Sequence, residues 1–446
     1  MGAGAFIEPA VVLSLLLGGT WVNRSAPQYF ARKAPHHSGK RRDSVESLES
    51  GGSSSPAVET DGLLSPGFRS SSPGERAAHD GWRKREIHFW GWRKSVWSAD
   101  TKQFEDRMLS RLLRRFPFLV EVWYWALIYW VYQLGRAFTA VTIVQGTVHS
   151  ARRHAVQLIH LEQRLHIFWE LSIQQFFLQY PLLMHWINRI YSFIHIPGTI
   201  LFLIGLYYYT ITSNRLTFAS PHTPPASTVH GSPAGPALYQ ARRRTMAVCN
   251  LIAFIVFTAW PCMPPRLLSD PAYKGKLAPE ARGYGFVDTV HGAEGESSVW
   301  TQNKFCNQYA AMPSLHFGYS LLIGLTVATI PLAPHHERTR RVMVRGRVCL
   351  RLPSARRVAC VLLGLLYPAI ILVAIIATAN HFILDAVAGA IVCGIAWQGN
   401  GILLNLCPLE DWFLWCLRMH KPEIEALSVL EGEEGERVWG QGVVTK

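Results

Sequence analysis

Residues 358–379 read VACVLLGLLYPAIILVAIIATA, 22 consecutive residues without a formal charge. A helix rises about 1.5 Å per residue, so about 20 apolar residues cross a hydrocarbon core of roughly 30 Å. Lipid gives backbone amides nothing to bond to, so such a segment reads as a transmembrane helix. Five further segments have the same character: 118–134, with Glu121 near its start, 190–211, 245–263, 315–332 and 382–404. The short alternating strands of a barrel are missing. The expected fold is therefore all-α, a polytopic membrane protein with a six-helix transmembrane core. A seventh apolar stretch, 6–22, contains Glu8 and Pro9 and lacks a basic start. It reads as an additional N-terminal membrane anchor, an uncleaved signal-like segment or a buried helix, with the anchor favoured.

Composition and charge then orient the chain. Of 446 residues, 49% are apolar and 17% charged, which excludes a largely disordered protein. A net charge of +14 would suggest nucleic acid in a soluble domain. In a polytopic chain the basic residues divide between two sides of a membrane instead, and no nucleic-acid partner is expected. The loop 334–357 has eight Arg against the single acid Glu337, which marks it as cytosolic. The loop 267–311 has four basic residues against five acids and belongs on the opposite, lumenal or exoplasmic side. Alternation then puts 24–115, the Arg242-Arg243-Arg244 cluster and the tail after 404 in the cytosol.

Four regions follow: a candidate anchor at 1–23, a basic cytosolic region at 24–116, a membrane domain at 117–405 and a cytosolic tail at 406–446. Residues 24–80 have the Ser, Pro and Gly content of a flexible, phosphorylatable tail. In 81–116, Trp82, Trp90, Trp92 and Trp97 interleave with Arg83, Lys84, Arg85, Arg93 and Lys94. This composition suits an anionic headgroup interface or an ordinary flank to the first span. Residues 152–179 read as one amphipathic helix on the lumenal side, with Glu162, Arg164 and Glu170 between its apolar positions. Residues 220–236 form a Pro-rich linker. Cys262 and Cys306, both lumenal, either pair or stay free, and no cysteine spacing suggests zinc. Cys407 and Cys416 read as packing residues or palmitoylation sites.

Three polar clusters fall on the lumenal side. Trp260-Pro261-Cys262-Met263-Pro264-Pro265-Arg266 ends one span, Asn307 to His316 opens the next, and Asn380-His381-Phe382-Ile383-Leu384-Asp385 joins the last two. His381 and Asp385, four apart, share a helix face, so the carboxylate can accept from one ring nitrogen and leave the other free as nucleophile or base. His316 follows Pro313-Ser314, a helix-start sequence whose unpaired amides favour an anion, and Ser314 adds a hydroxyl. Arg266 offers a planar fork for phosphate oxygens. Asn380 and His195 join the candidate substrate-binding set, with helix capping or packing as their other reading. Asn307 reads as Asn380 does, positioning substrate or capping a helix, and Tyr309, Glu170 and Asp288 carry less weight still. The set points to phosphoryl transfer with no metal and no cofactor.

The order PPR, MPSLH and HFILD resembles the type 2 phosphatidic acid phosphatase superfamily over residues 117–405, and within it the branch of inositol phosphorylceramide synthase. The resemblance implies a six-helix core in which His381 attacks phosphorus, His316 protonates the leaving oxygen and Asp385 orients the nucleophile. Two positions depart from the phosphatase pattern: Ala374 and Ile375 stand where it has Ser-Arg, and the first motif keeps only Arg266. The expected function is a lipid phosphatase or phosphotransferase, with a lipid phosphate or phospholipid as substrate. Endoplasmic reticulum or Golgi membrane is the expected location, with the site lumenal. The rival reading is a non-catalytic membrane scaffold or lipid-binding protein that retains the fold.

Overall fold

The computed structural model describes residues 4–25, 81–89, 91–142, 145–214, 233–271, 275–290, 308–333, 336, 340–344 and 348–422. Residues 26–80, most of the linker 220–236, Asn307, Cys306 and residues 423–446 lie outside these. Cys262 is a free thiol.

The chain is mostly helical. The helices are α1 (Gly4–Val22), α2 (Met108–Arg115), α3 (Phe118–Thr142), α4 (Gln145–Arg164), α5 (Glu170–Leu178), α6 (Pro181–Thr212), α7 (Pro236–Ala259), α8 (Ala278–Gly283), α9 (Leu315–Thr329), α10 (Ala355–Ala377), α11 (Ile383–Gly399) and α12 (Cys407–Cys416). Two antiparallel hairpins correct the all-α expectation: β1 (Trp82–Phe89) with β2 (Trp92–Ala99), and β3 (Arg340–Val344) with β4 (Val348–Leu352). Along β1 burial has a period of two, with Arg83, Arg85 and Ile87 half-buried between exposed Trp82, Lys84, Glu86 and His88, a pattern that the composition-based reading of an interfacial flank passes over. Gly91, at φ +85°, lies in the turn.

By length and composition, three described helical segments can cross a membrane: Pro181–Thr212, Ala355–Ala377 and Ile383–Cys416. Ile7–Val22 and Leu315–Thr329 are apolar but shorter. α7 is long enough but carries Arg242, Arg243 and Arg244 in its second and third turns, which interrupts its apolar run. α1 packs on α6 and α3 and does not stand apart; Thr212 Oγ1 donates to Asn23 Oδ1 at 2.6 Å.

Close backbone approach sets the bundle's centre. An added Cβ on Gly324 of α9 would lie 2.1 Å from the Gly364 carbonyl oxygen of α10. Pro368 has no N–H to offer that carbonyl four residues back, which leaves it turned to α9. Likewise a Cβ on Gly389 of α11 would lie 2.3 Å from the Ser314 carbonyl oxygen. These contacts bring the first turns of α9 and α11 and the last of α10 to one end of the bundle.

The other end is basic. Arg243 of α7 pairs with buried Glu121 of α3 at 2.7 Å, and Tyr239 donates to the same oxygen. This answers the acid near the start of the 118–134 segment: a buried carboxylate is tolerated when paired. Arg244 reaches Asn400, Arg242 lies over the Trp397 ring, and Arg357 donates to the Ala328 and Ile330 carbonyls. The β1–β2 hairpin is held at this end by Arg85, bidentate to Asp411 at 2.8 and 2.9 Å, and by Ser98, which donates to the same carboxylate.

Candidate active site

The three sequence clusters converge, and main-chain hydrogen bonds stitch them. The Cys262 N–H donates to Tyr309, the Ala311 N–H to Cys262, the Arg266 N–H to Ala379 and the Ser314 N–H to Asp385, at 2.8–3.1 Å. The turn carrying the third cluster is built by the end of α10. Ala379, at φ +50°, takes the left-handed position. The Ala379 N–H donates to Ile376 and the Asn380 N–H to Ile375, which closes the helix in a Schellman pattern. Ala374 and Ile375, where the phosphatase pattern has Ser-Arg, are buried in the apolar cluster with Ile371 and Met184.

His381 is buried at the centre. Its Nδ1 lies 2.8 Å from the Ala311 carbonyl oxygen. A carbonyl only accepts, so Nδ1 bears the proton and Nε2 keeps its lone pair. Asp385 Oδ2 stands 3.6 Å from Nδ1 and accepts from the Phe382 N–H at 2.9 Å. The main chain at Ala311 thus fixes the tautomer, and Asp385 acts on the ring through its charge. Sequence reasoning gave this hydrogen bond to Asp385; no side-chain pattern could reveal a backbone carbonyl.

His316, on the first turn of α9, faces His381 with ring centroids 5.7 Å apart. Its other neighbours are Tyr191 at 4.7 Å and His195 at 5.2 Å. His195 is buried, and its Nδ1 is 2.9 Å from the Tyr367 hydroxyl. It therefore braces His316 from behind, which fits packing better than contact with substrate. Ser314 accepts from the Phe317 N–H at 3.4 Å as the α9 cap, and it is fully buried. That orientation engages its hydroxyl at the cap.

Arg266 Nε donates to Asn380 Oδ1 at 2.9 Å, and its Nη1 pairs with Asp288 at 2.8 Å. Asn380 Nδ2 donates in turn to Thr378 Oγ1. The Asp288 segment is pinned by Gln174, which makes two hydrogen bonds to the Val287 main chain, and by Asn188, which donates to Thr289. Gln174 comes from α5 and Asn188 from α6.

The expected single helix at 152–179 is two, α4 and α5, separated by residues that include His166 at φ +57°. Glu162 and Glu170, read as the polar face, are fully buried and point at the first turn of α11. The Leu384 N–H donates to Glu162 and the Ile383 N–H to Glu170, each at 2.8 Å. α4 also meets the first cluster: His154 lies 2.8 Å from the Pro261 carbonyl and stacks on Trp260.

Two histidines of unlike surroundings, one with a fixed free lone pair, beside a carboxylate and a guanidinium can attack and protonate the two ends of one phosphoester bond. Among the described residues no cluster of His, Cys, Asp or Glu has the arrangement of a metal site. The model of the PAP2 superfamily matches residues 156–221, 219–344 and 347–398, over half of the chain and all three clusters. No curated protein and no solved structure matches the chain.

Proposed function

The chain belongs to the PAP2 superfamily, and from that premise we propose that it is an integral membrane enzyme of the lipid phosphatase or phosphotransferase type, reacting at the His316–His381 pair. The observation that carries this reading is the placement of those rings, 5.7 Å apart, one on the first turn of α9 and one in the turn between α10 and α11, with His381 Nδ1 committed to Ala311. His381 Nε2 attacks phosphorus and forms a P–N bond as the P–O bond to the leaving group breaks. His316 supplies the proton that the leaving oxygen takes. Water or a second lipid hydroxyl then attacks the phosphohistidine, gives its proton to His316 and restores both rings. Arg266, held by Asn380, and the amides at the start of α9 stabilise the equatorial oxygens.

In this reading the six spans are α3, α6, α7, α9, α10 and α11. The separation of the site from the basic end supports it: Arg357 and His381 flank the length of α10, a rise of about 30 Å. In this reading the site is lumenal and the arginines cytosolic, in an endoplasmic reticulum or Golgi membrane, and the excess of arginine at the far end from the site supports that orientation. The burial of Ala374 and Ile375 supports the sphingolipid branch, because no phosphate-binding cation arises from that turn.

The test is turnover in detergent micelles by wild type and His381→Ala, without added metal, on phosphatidic acid, phosphatidylinositol, and phosphatidylinositol with ceramide. Phosphate release identifies a phosphatase, and headgroup transfer dependent on ceramide identifies a synthase. Absence of turnover in every mixture identifies the non-catalytic scaffold, a reading favoured by the ion pair that engages Arg266 with Asp288.

A further inference from the structure

We propose that Glu162 and Glu170 are positioning residues of this site: they share one proton and clamp the first turn of α11 by its main chain, holding Asp385 and His381 in register. The inference rests on the reading of His381 and His316 as the reacting pair.

A helix start leaves its first amides without intrahelical partners. Here three successive amides each receive a carboxylate. The Phe382 N–H goes to Asp385, the Ile383 N–H to Glu170 and the Leu384 N–H to Glu162. Two of the three carboxylates come from more than 200 residues earlier in the chain, so they tie α4 and α5 to the exact turn that carries the nucleophile.

The opposite oxygens show why a proton is shared. Glu162 Oε2 and Glu170 Oε2 are buried and meet no hydrogen-bond donor. The two carboxyl groups accept from adjacent amides, those of Ile383 and Leu384, and so are buried side by side. Two buried carboxylates cannot both be ionised at such range, and one proton between them supplies the missing donor. Burial and the Glu170 carboxyl push Glu162 up to about 10, and burial raises Glu170 as well. The groups facing the pair are Asp385 from α11, with His381 beyond it, and the Cys262 thiol from the segment after α7. Asp385 is an acid at the same helix start, so loss of the shared proton leaves the turn among repelling carboxylates and opens the clamp.

Full-length protein in micelles tests this with Glu162→Gln, Glu170→Gln and Glu162→Ala. A Gln at 162 keeps a carbonyl for the Leu384 N–H, and its amide takes the place of the shared proton. Glu162→Gln is expected to keep kcat near wild type at neutral pH and to lose the alkaline limb of the wild-type profile, with Glu170→Gln behaving likewise. Glu162→Ala is expected to lose about 30-fold or more in kcat with KM little changed, the scale of a misplaced reacting group. Hydrogen exchange at the amides of 383–385 speeds up in Glu162→Ala and not in Glu162→Gln. An unchanged alkaline limb in Glu162→Gln, or wild-type kcat in Glu162→Ala, overturns the proposal. If wild type turns over no lipid phosphate, the functional reading fails by itself; unchanged exchange at 383–385 in Glu162→Ala then overturns the clamp separately.

Discussion

His381 Nδ1 and the Ala311 carbonyl oxygen are 2.8 Å apart, so the ring's proton is held by main chain and the carboxylate of Asp385 contributes charge at 3.6 Å. In hydrolases where the carboxylate alone sets the histidine tautomer, Asp→Asn costs about 10⁴ in kcat. Here Asp385→Asn is expected to cost about 10² or less, because Ala311 still fixes the ring and an amide oxygen still accepts from the Phe382 N–H. His381→Ala should abolish turnover. Single-turnover kinetics of both variants check this; equal losses would return the tautomer to Asp385.

The crossing of α9 and α11 makes its own prediction. Gly389→Ala drives a Cβ to within 2.3 Å of the Ser314 carbonyl oxygen and must part α9, which carries His316, from α11, which follows His381 directly. The expected cost is about 1–3 kcal/mol of stability with loss of most turnover. Gly394→Ala, on the same helix with nothing within 4 Å, should be neutral or slightly stabilising. Thermal unfolding of the pair in micelles measures the difference.

Much of this site is legible in the sequence because its motifs sit at span ends, where prolines, a helix cap and charged residues interrupt apolar runs. Arg266, Ser314, His316, Asn380, His381 and Asp385 all stand out this way, and the structure brings them together. What stays hidden is of two kinds. The Ala311 carbonyl belongs to the backbone, which carries no residue signature. Glu162 and Glu170 sit at helical spacing among apolar residues, and periodicity assigns such acids to a solvated face; Glu170 carries little weight as a site residue in the sequence and Glu162 none, and only the unpaired amides of a helix more than 200 residues away explain their burial. The β1–β2 hairpin was masked by its tryptophans and arginines, whose composition spoke of an interface, while the period of two in β1 lies in its burial and shows only in the folded chain.

The shared proton has a consequence for stability. Native Glu162 keeps its proton up to about 10, whereas the unfolded chain releases it near 4.5. Between those values the native state binds more protons, so this group's contribution to stability falls as pH rises. Glu162→Gln removes the dependence. Its Tm advantage over wild type is expected to be larger near pH 9 than near pH 5, and a constant difference would count against the raised value.

The hairpin is separable from the chemistry. Asp411→Ala removes the bidentate partner of Arg85 and the acceptor of Ser98, a loss of about 1.5–3 kcal/mol per charged hydrogen bond at most. Limited proteolysis should then cut within 82–99, while lipid turnover stays at the wild-type rate. A matching loss of turnover would tie the hairpin to the active site.

The most direct test of the account is transfer of labelled phosphate from lipid to protein, quenched in alkali during turnover. Wild type is expected to carry alkali-stable, acid-labile phosphate that maps to the peptide containing His381, and His381→Ala none. Turnover by wild type with no protein-bound phosphate, or with the label unchanged in His381→Ala, would contradict it.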